Sequence, residues 1–246
     1  MKLRWLFIDI GGPILDDGPL FDYLTAALRG VLAAQGHPVS GEAYQQAMKS
    51  GWQEGASSTL DYIIRHFVTT EEAYIQAKKA YWDVFNGLSW SEYRDLQPLR
   101  TRVPEALEAL AGPYRLATLS NNVVRVRDLL GEYGIDQYFT AWGISEEVGY
   151  AKPDRRLFDH VLAQARCQPA EALMVGDRLD NDILPAQQLG LRTALIALKH
   201  NFGAAPVHVR DVRPDIRVAS LAELAERVVQ PEDAEVPPGA VGAAGR

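Results

Sequence analysis

Short, unbroken apolar runs alternate with amphipathic stretches along most of this chain, and one long block near its start is amphipathic throughout. Residues 3–10 read as a buried strand of the parallel type, stopped by the turn formers Gly11-Gly12-Pro13. From about residue 18 to 87 the pattern is helical. Phe21, Tyr23, Leu24, Leu28, Val31 and Leu32 fall at helical spacings, as do Tyr62, Ile63, His66 and Phe67, then Tyr74, Ala77, Ala80 and Tyr81. Breaks at Gly36-His37-Pro38, Gly55-Ala56-Ser57 and Thr69-Thr70 divide the block into roughly four helices with nothing strand-like among them.

Strand and helix then alternate. Helices are expected over 104–110, 123–133, 154–165, 182–189 and 221–229, and strands over 115–120, 141–144, 172–175, 193–197 and 216–219. Such alternation implies right-handed crossovers and an α/β core built on a doubly wound parallel sheet, with the helical block as a small second domain. From Pro231 onward Pro, Gly and Ala dominate, too little apolar surface to offset ordering entropy, so 230–246 is expected to be a disordered tail.

Composition narrows the function classes. A chain of 246 residues with 47% hydrophobic content can bury a substantial core. Its net charge of −7 argues against a nucleic-acid backbone binder, which needs a basic face. No run of about 18 apolar residues is present, and Asp9 interrupts the first apolar run too early for a secretory signal, so a cytoplasmic protein without membrane association is expected. The single cysteine, Cys167, permits no internal disulfide and reads as a packed thiol. His37 and His66 lack metal-ligand spacing.

The chemistry lies in polar residues that end or follow the apolar runs. Asp9 closes the first strand; a carboxylate of ordinary pKa is ionised at neutral pH and can attack phosphorus. Taken alone it reads equally well as a turn-capping aspartate, but the glycines after it let backbone N–H groups approach an anion. Ser120, with Asn121 and Asn122, sits between a strand and a helix, where a hydroxyl and free N–H groups suit an anion, although a plain N-cap has the same appearance. Lys152, in Tyr150-Ala151-Lys152-Pro153-Asp154, gains meaning only from its company. Asp177 follows an apolar run and Asp182 opens the next helix, a pairing that holds a hard cation such as Mg²⁺, with Asp180 ranked behind Asp182. Asp9, Asp177 and Asp182 sum to −3 and Lys152 returns +1, so a dianionic phosphate would be repelled without a divalent ion.

The ordered set Asp9, Ser120, Lys152 and Asp177 with Asp182 resembles the haloacid dehalogenase (HAD) superfamily of hydrolases over nearly the whole chain. The resemblance implies a Rossmann-like core over 1–16 and 91–229 and a helical cap over 17–90. It implies Asp9 as nucleophile; Gly12, Ser120, Asn121 and Lys152 around the phosphoryl group; and Mg²⁺ on Asp9, the Gly11 carbonyl, Asp177 and Asp182. Gly11 departs from the family pattern, which carries an acid/base aspartate there, and Pro13 replaces a threonine. Some members with glycine at that position are nevertheless phosphatases. A Mg²⁺-dependent phosphatase acting on a small phosphorylated metabolite, as monomer or homodimer, is the implied function. It would favour leaving groups that need little protonation or borrow a donor, for which Asp16 and Asp17 are candidates against a simpler role as solvated hinge carboxylates. A carbon–halogen hydrolase is disfavoured by the acidic pair, and a carbon–phosphorus hydrolase needs a cap lysine, for which Lys49 is the candidate. A catalytically impaired phosphate-binding protein is the third reading. Cap aromatics such as Tyr23, Trp52, Tyr62, Phe67, Tyr74, Tyr81 and Trp82 are expected mainly to pack helices, with one or two lining the pocket.

Overall fold

A computed structural model describes residues 2–56, 58–198 and 207–229; the expected tail at 230–246 lies outside them. The core strands are β1 (Trp5–Ile8), β2 (Arg115–Ser120), β3 (Phe139–Ile144), β4 (Ala172–Gly176), β5 (Arg192–Ile196) and β6 (Ile216–Val218). They form one parallel sheet in the order β3-β2-β1-β4-β5-β6. From β1 the chain first winds outward through β2 and β3, then returns to β1's other side and winds through β4 to β6. The winding therefore reverses at β1, and the carboxyl ends of β1, β2 and β4 border the crevice where such sheets bind ligands.

Alternation in β1 explains why it is central. Leu6 and Ile8 face one layer, with Leu107, Leu116 and Val175, while Trp5 and Phe7 face the other, with Ala117, Phe158 and Met174. All four β1 side chains are buried. Truncating Leu6 or Phe7 to alanine would cost about 2–5 kcal/mol.

The helical block consists of α1 (Gly18–Ala34), α2 (Gly41–Glu54), α3 (Thr59–Phe67) and α4 (Glu71–Asn86). Its breaks fall where the sequence places them, because Ser40, Ser58 and Thr70 each accept a hydrogen bond from an N–H in the following first turn. These helices bury a core of their own, including Leu28, Leu32, Met48, Ile63 and Ile64. Two adjacent linkers join block and core: Asp16 donates its N–H to the Pro98 carbonyl (2.8 Å), and Arg100 donates to that of Ile14 (2.9 Å).

The remaining helices are α5 (Trp90–Asp95), α6 (Val103–Ala111), α7 (Val126–Glu132), α8 (Ser145–Val148), α9 (Arg155–Ala165), α10 (Leu184–Leu189) and α11 (Leu221–Val228). One expectation needs correction. Asp182 does not open α10; it lies inside a π-helical turn, Leu179–Ile183, that precedes it. The wider turn lets the Ile183 N–H reach the Arg178 carbonyl (3.2 Å) and turns the Asp182 carboxylate inward. No helix of the described residues is long and apolar enough to cross a membrane.

Candidate active site

Asp9 is held at the carboxyl end of β1 by its N–H, which donates to the Val175 carbonyl at 2.9 Å. Its Oδ1 accepts from the Ile10 N–H (2.8 Å) and its Oδ2 pairs with Lys152 Nζ (2.8 Å). Ser120, at the end of β2, lies beside the Asp9 carboxyl and favours its charged form. Lys152 Nζ reaches Asp182 Oδ1 at 2.6 Å, and Asp182 Oδ2 accepts from the N–H groups of Asp177 (3.1 Å) and Arg178 (2.9 Å). Asp9, Asp177 and Asp182 each bring an oxygen within 4.8 Å of the others. Five residues from four distant segments thus converge at one sheet edge.

The electrostatics of this cluster are unbalanced. Burial raises the Asp9 carboxyl above its ordinary value; Lys152 opposes this and Asp177 adds to it. Burial raises Asp182 likewise, again against Lys152 and with the help of Asp9. Burial alone would lower the Lys152 ammonium, but Asp182 and Asp9 outweigh it and hold the group above the usual lysine range. One ammonium among three carboxylates leaves negative charge over, and an all-oxygen donor set suits a hard divalent cation. The residues present fit Mg²⁺.

Several expected roles change. Gly12 does not offer its N–H to a ligand, because that group donates to the Leu15 carbonyl (3.0 Å). Its left-handed φ of 88° and bare Cα instead admit the Asp177 carboxylate; a Cβ there would lie 2.5 Å from Oδ2. The Asn121 amide clamps the Lys152 backbone, donating to its carbonyl (2.9 Å) and accepting from its N–H (2.6 Å). Asn121 therefore positions Lys152. Asp180 is paired with the Arg178 guanidinium (2.7 Å), away from the acidic cluster. Cys167 is no nucleophile at neutral pH, since burial and Glu171 push its thiol up to about 11.

The haloacid dehalogenase-like hydrolase family model matches residues 3–190. The chain belongs to that family. Glyceraldehyde 3-phosphate phosphatase of Methanothermobacter thermautotrophicus is 24% identical over 197 residues, covering 79% of this chain and 85% of the relative. Phosphoglycolate phosphatase 1 of Pseudomonas aeruginosa is 29% identical over 246 residues, covering 95% and 85%. Among solved structures, the Bacillus subtilis HAD-hydrolase YfnB bound to magnesium superposes with a TM-score of 0.61 at 20% identity, covering 92% of this chain and 99% of that one.

In this HAD-like hydrolase, the cluster opens into a cavity of about 490 Å³ between sheet edge and helical block. Besides Asp9, Ser120, Lys152 and Asp177, its walls include Phe21, Thr59, Phe85, Tyr93, Gln97 and Arg100. None of the seven cap aromatics singled out from sequence is among the lining residues, and Lys49 is not either. Trp52 packs its ring against the guanidinium of the wall residue Arg178, 4.5 Å from the ring centroid. Tyr93 and Gln97 come from or just follow α5, which periodicity missed because it has six residues. Its start was nonetheless encoded: Ser89-Trp90-Ser91-Glu92 forms a capping box.

Asp16 and Asp17 differ in setting. Asp16 pairs with Arg100 (3.3 Å) and accepts from the Gly18 N–H (3.2 Å). Asp17 is open to the water of the cavity but hemmed in by its walls, and desolvation, Asp177 and Asp9 together push its carboxyl up to about 6 against Arg100. The unfolded chain releases this proton near 4 and the folded chain near 6, so wild-type stability falls as pH rises through that interval. Metal-free Asp17→Asn should therefore exceed the wild type by about 1 kcal/mol at pH 7 after solvent screening, with the gain vanishing toward pH 4. Urea unfolding in EDTA at both pH values measures it; a gain independent of pH would refute the assignment.

Proposed function

We propose that this HAD-like hydrolase is a Mg²⁺-dependent phosphatase of small phosphorylated metabolites, acting through an aspartyl-phosphate on Asp9. The observation that carries the reading is the Asp9 carboxylate at the cavity floor, ion-paired to buried Lys152 and sharing an acidic cluster with Asp177 and Asp182. Two relatives named as phosphatases, of glyceraldehyde 3-phosphate and of phosphoglycolate, support small anionic substrates.

Asp9 Oδ attacks phosphorus in line as the leaving oxygen departs. Ser120 and Lys152 hold phosphoryl oxygens, and Lys152 also favours the charged form of Asp9 against its burial. Asp177, Asp9 and the Gly11 carbonyl would hold the Mg²⁺, while Asp182, whose oxygens already accept three hydrogen bonds, fixes Lys152 and the loop after β4. Bound there, the cation offsets the surplus negative charge and polarises the phosphoryl group. Water then opens the aspartyl-phosphate. Lys152 is the single lysine among the described lining residues and is tied to two carboxylates, which disfavours a Schiff-base route to carbon–phosphorus cleavage.

A panel of alkyl, acyl, aryl and sugar phosphates, assayed with excess Mg²⁺ and after EDTA, tests this. Phosphate release should fall at least about 100-fold on chelation and return with Mg²⁺. Metal-independent release across the panel would remove the proposal.

A further inference from the structure

A phosphate monoester with an alkyl leaving group needs a proton at the departing oxygen, and the attacking water must later lose one. Residue 11, next but one to the nucleophile, has no side chain to do either. The space its side chain would take is nevertheless filled. A Cβ built on Gly11 would lie 2.9 Å from Asp17 Oδ2 and 3.8 Å from Asp17 Cγ. The carboxyl group that local sequence omits at residue 11 is therefore delivered from six residues further along.

Other charged side chains at the cavity are engaged. Lys152 bridges Asp9 and Asp182, Arg178 is bound to Asp180, and Asp16 is bound to Arg100 and the Gly18 N–H. Asp17 immediately precedes α1 yet makes no side-chain capping hydrogen bond there, so its carboxyl points to the cavity and not into its own helix. Its backbone carbonyl, which accepts from the Phe21 N–H at 2.9 Å, anchors the residue independently of the side chain.

We infer that Asp17 is the proton donor and acceptor of this site, its carboxyl occupying the place left by Gly11. The assignment rests on the phosphatase reading above. In the first half-reaction the Asp9 Oδ–P bond forms, the bond from phosphorus to the leaving oxygen breaks, and the proton of the Asp17 carboxyl passes to that oxygen, releasing the alcohol. In the second, water attacks phosphorus and gives its proton to the Asp17 carboxylate. The P–O bond to Asp9 breaks, inorganic phosphate leaves, and both aspartates return to their starting states.

The test compares wild type, Asp17→Asn, Asp17→Ala and Asp17→Ala/Gly11→Asp on 2-glycerophosphate and p-nitrophenyl phosphate. On the alkyl ester, Asp17→Asn should lose about 10²–10⁴-fold in kcat. On the aryl ester, whose leaving group needs no proton, the same variant should give a burst of one nitrophenolate per active site and then a slow steady rate. A merely structural role would slow burst and steady state alike. The double variant, with its carboxyl returned to residue 11, should regain at least about tenfold over Asp17→Ala on 2-glycerophosphate. An Asp17→Asn enzyme that matches wild type, or a lost burst together with no rescue, overturns the assignment while leaving the phosphatase reading intact. A wild type that releases no nitrophenolate overturns both.

Discussion

Asp9→Asn should abolish phosphate release, with a loss on the order of 10⁴–10⁶-fold, as expected when a nucleophile is removed from a site whose groups act as a unit. The substitution keeps shape and the acceptor for the Ile10 N–H (2.8 Å) but removes the anionic oxygen that faces Lys152 at 2.8 Å. An amide oxygen is a poor nucleophile toward phosphorus and forms no aspartyl-phosphate. Structure should survive, because burial and Asp177 already disfavour the charged form of Asp9, so neutralising it relieves repulsion while Lys152 retains Asp182. Phosphate release measured beside urea unfolding separates the two effects. Retention of more than about a hundredth of wild-type rate in a stably folded variant would show that another group attacks phosphorus.

Much of the fold was legible because it depends on local patterns. Unbroken apolar runs marked the parallel strands, and Gly36-His37-Pro38, Gly55-Ala56-Ser57 and Thr69-Thr70 marked the helix breaks. The convergence of Asp9, Ser120, Lys152 and Asp177 followed from their places after strands that the winding rule sets side by side. What escaped depends on contacts between distant residues. The Asn121 amide is engaged by Lys152, 31 positions away, and no local spacing encodes that pairing. Gly12 was expected to lend its N–H to a phosphoryl group, whereas its bare Cα admits the distant Asp177 carboxylate. The π turn was hidden because Asp180-Asn181-Asp182 carries no apolar periodicity, so a helix start and a widened turn look alike in sequence. Cavity walls drawn from Phe21, Phe85, Tyr93 and Arg100 depend on how the helical block seats on the core, which periodicity cannot report.

Lys152→Met should be the most damaging change to stability at the site, costing about 3–5 kcal/mol in metal-free protein at pH 8. The Lys152 side chain is 1% exposed and its partners Asp9 and Asp182 are 12% and 0% exposed, so water cannot replace the lost ammonium. Methionine fills similar volume, which isolates the charge from the packing. Both carboxyls are already raised by burial with Lys152 present, and removing it raises them further. A carboxyl raised in the folded state keeps its proton there while the unfolded chain has released it, so stability declines as pH rises through the folded pKa. The penalty should accordingly shrink between pH 8 and pH 5, where the folded variant takes up protons. Mg²⁺ should restore part of it at pH 8, because a cation bound to the folded state alone shifts unfolding by mass action. Lys79→Met provides the contrast: its i,i+4 pair with Asp83 is 74% and 59% exposed, and its loss should change stability by less than about 0.5 kcal/mol at either pH. Urea unfolding of both variants at the two pH values, with and without Mg²⁺, reads all of these terms. A Lys152→Met penalty as small as that of Lys79→Met, or one unchanged by pH, would mean that the buried carboxyls need no counter-charge, and the electrostatic basis for a divalent ion at this sheet edge would fall with it.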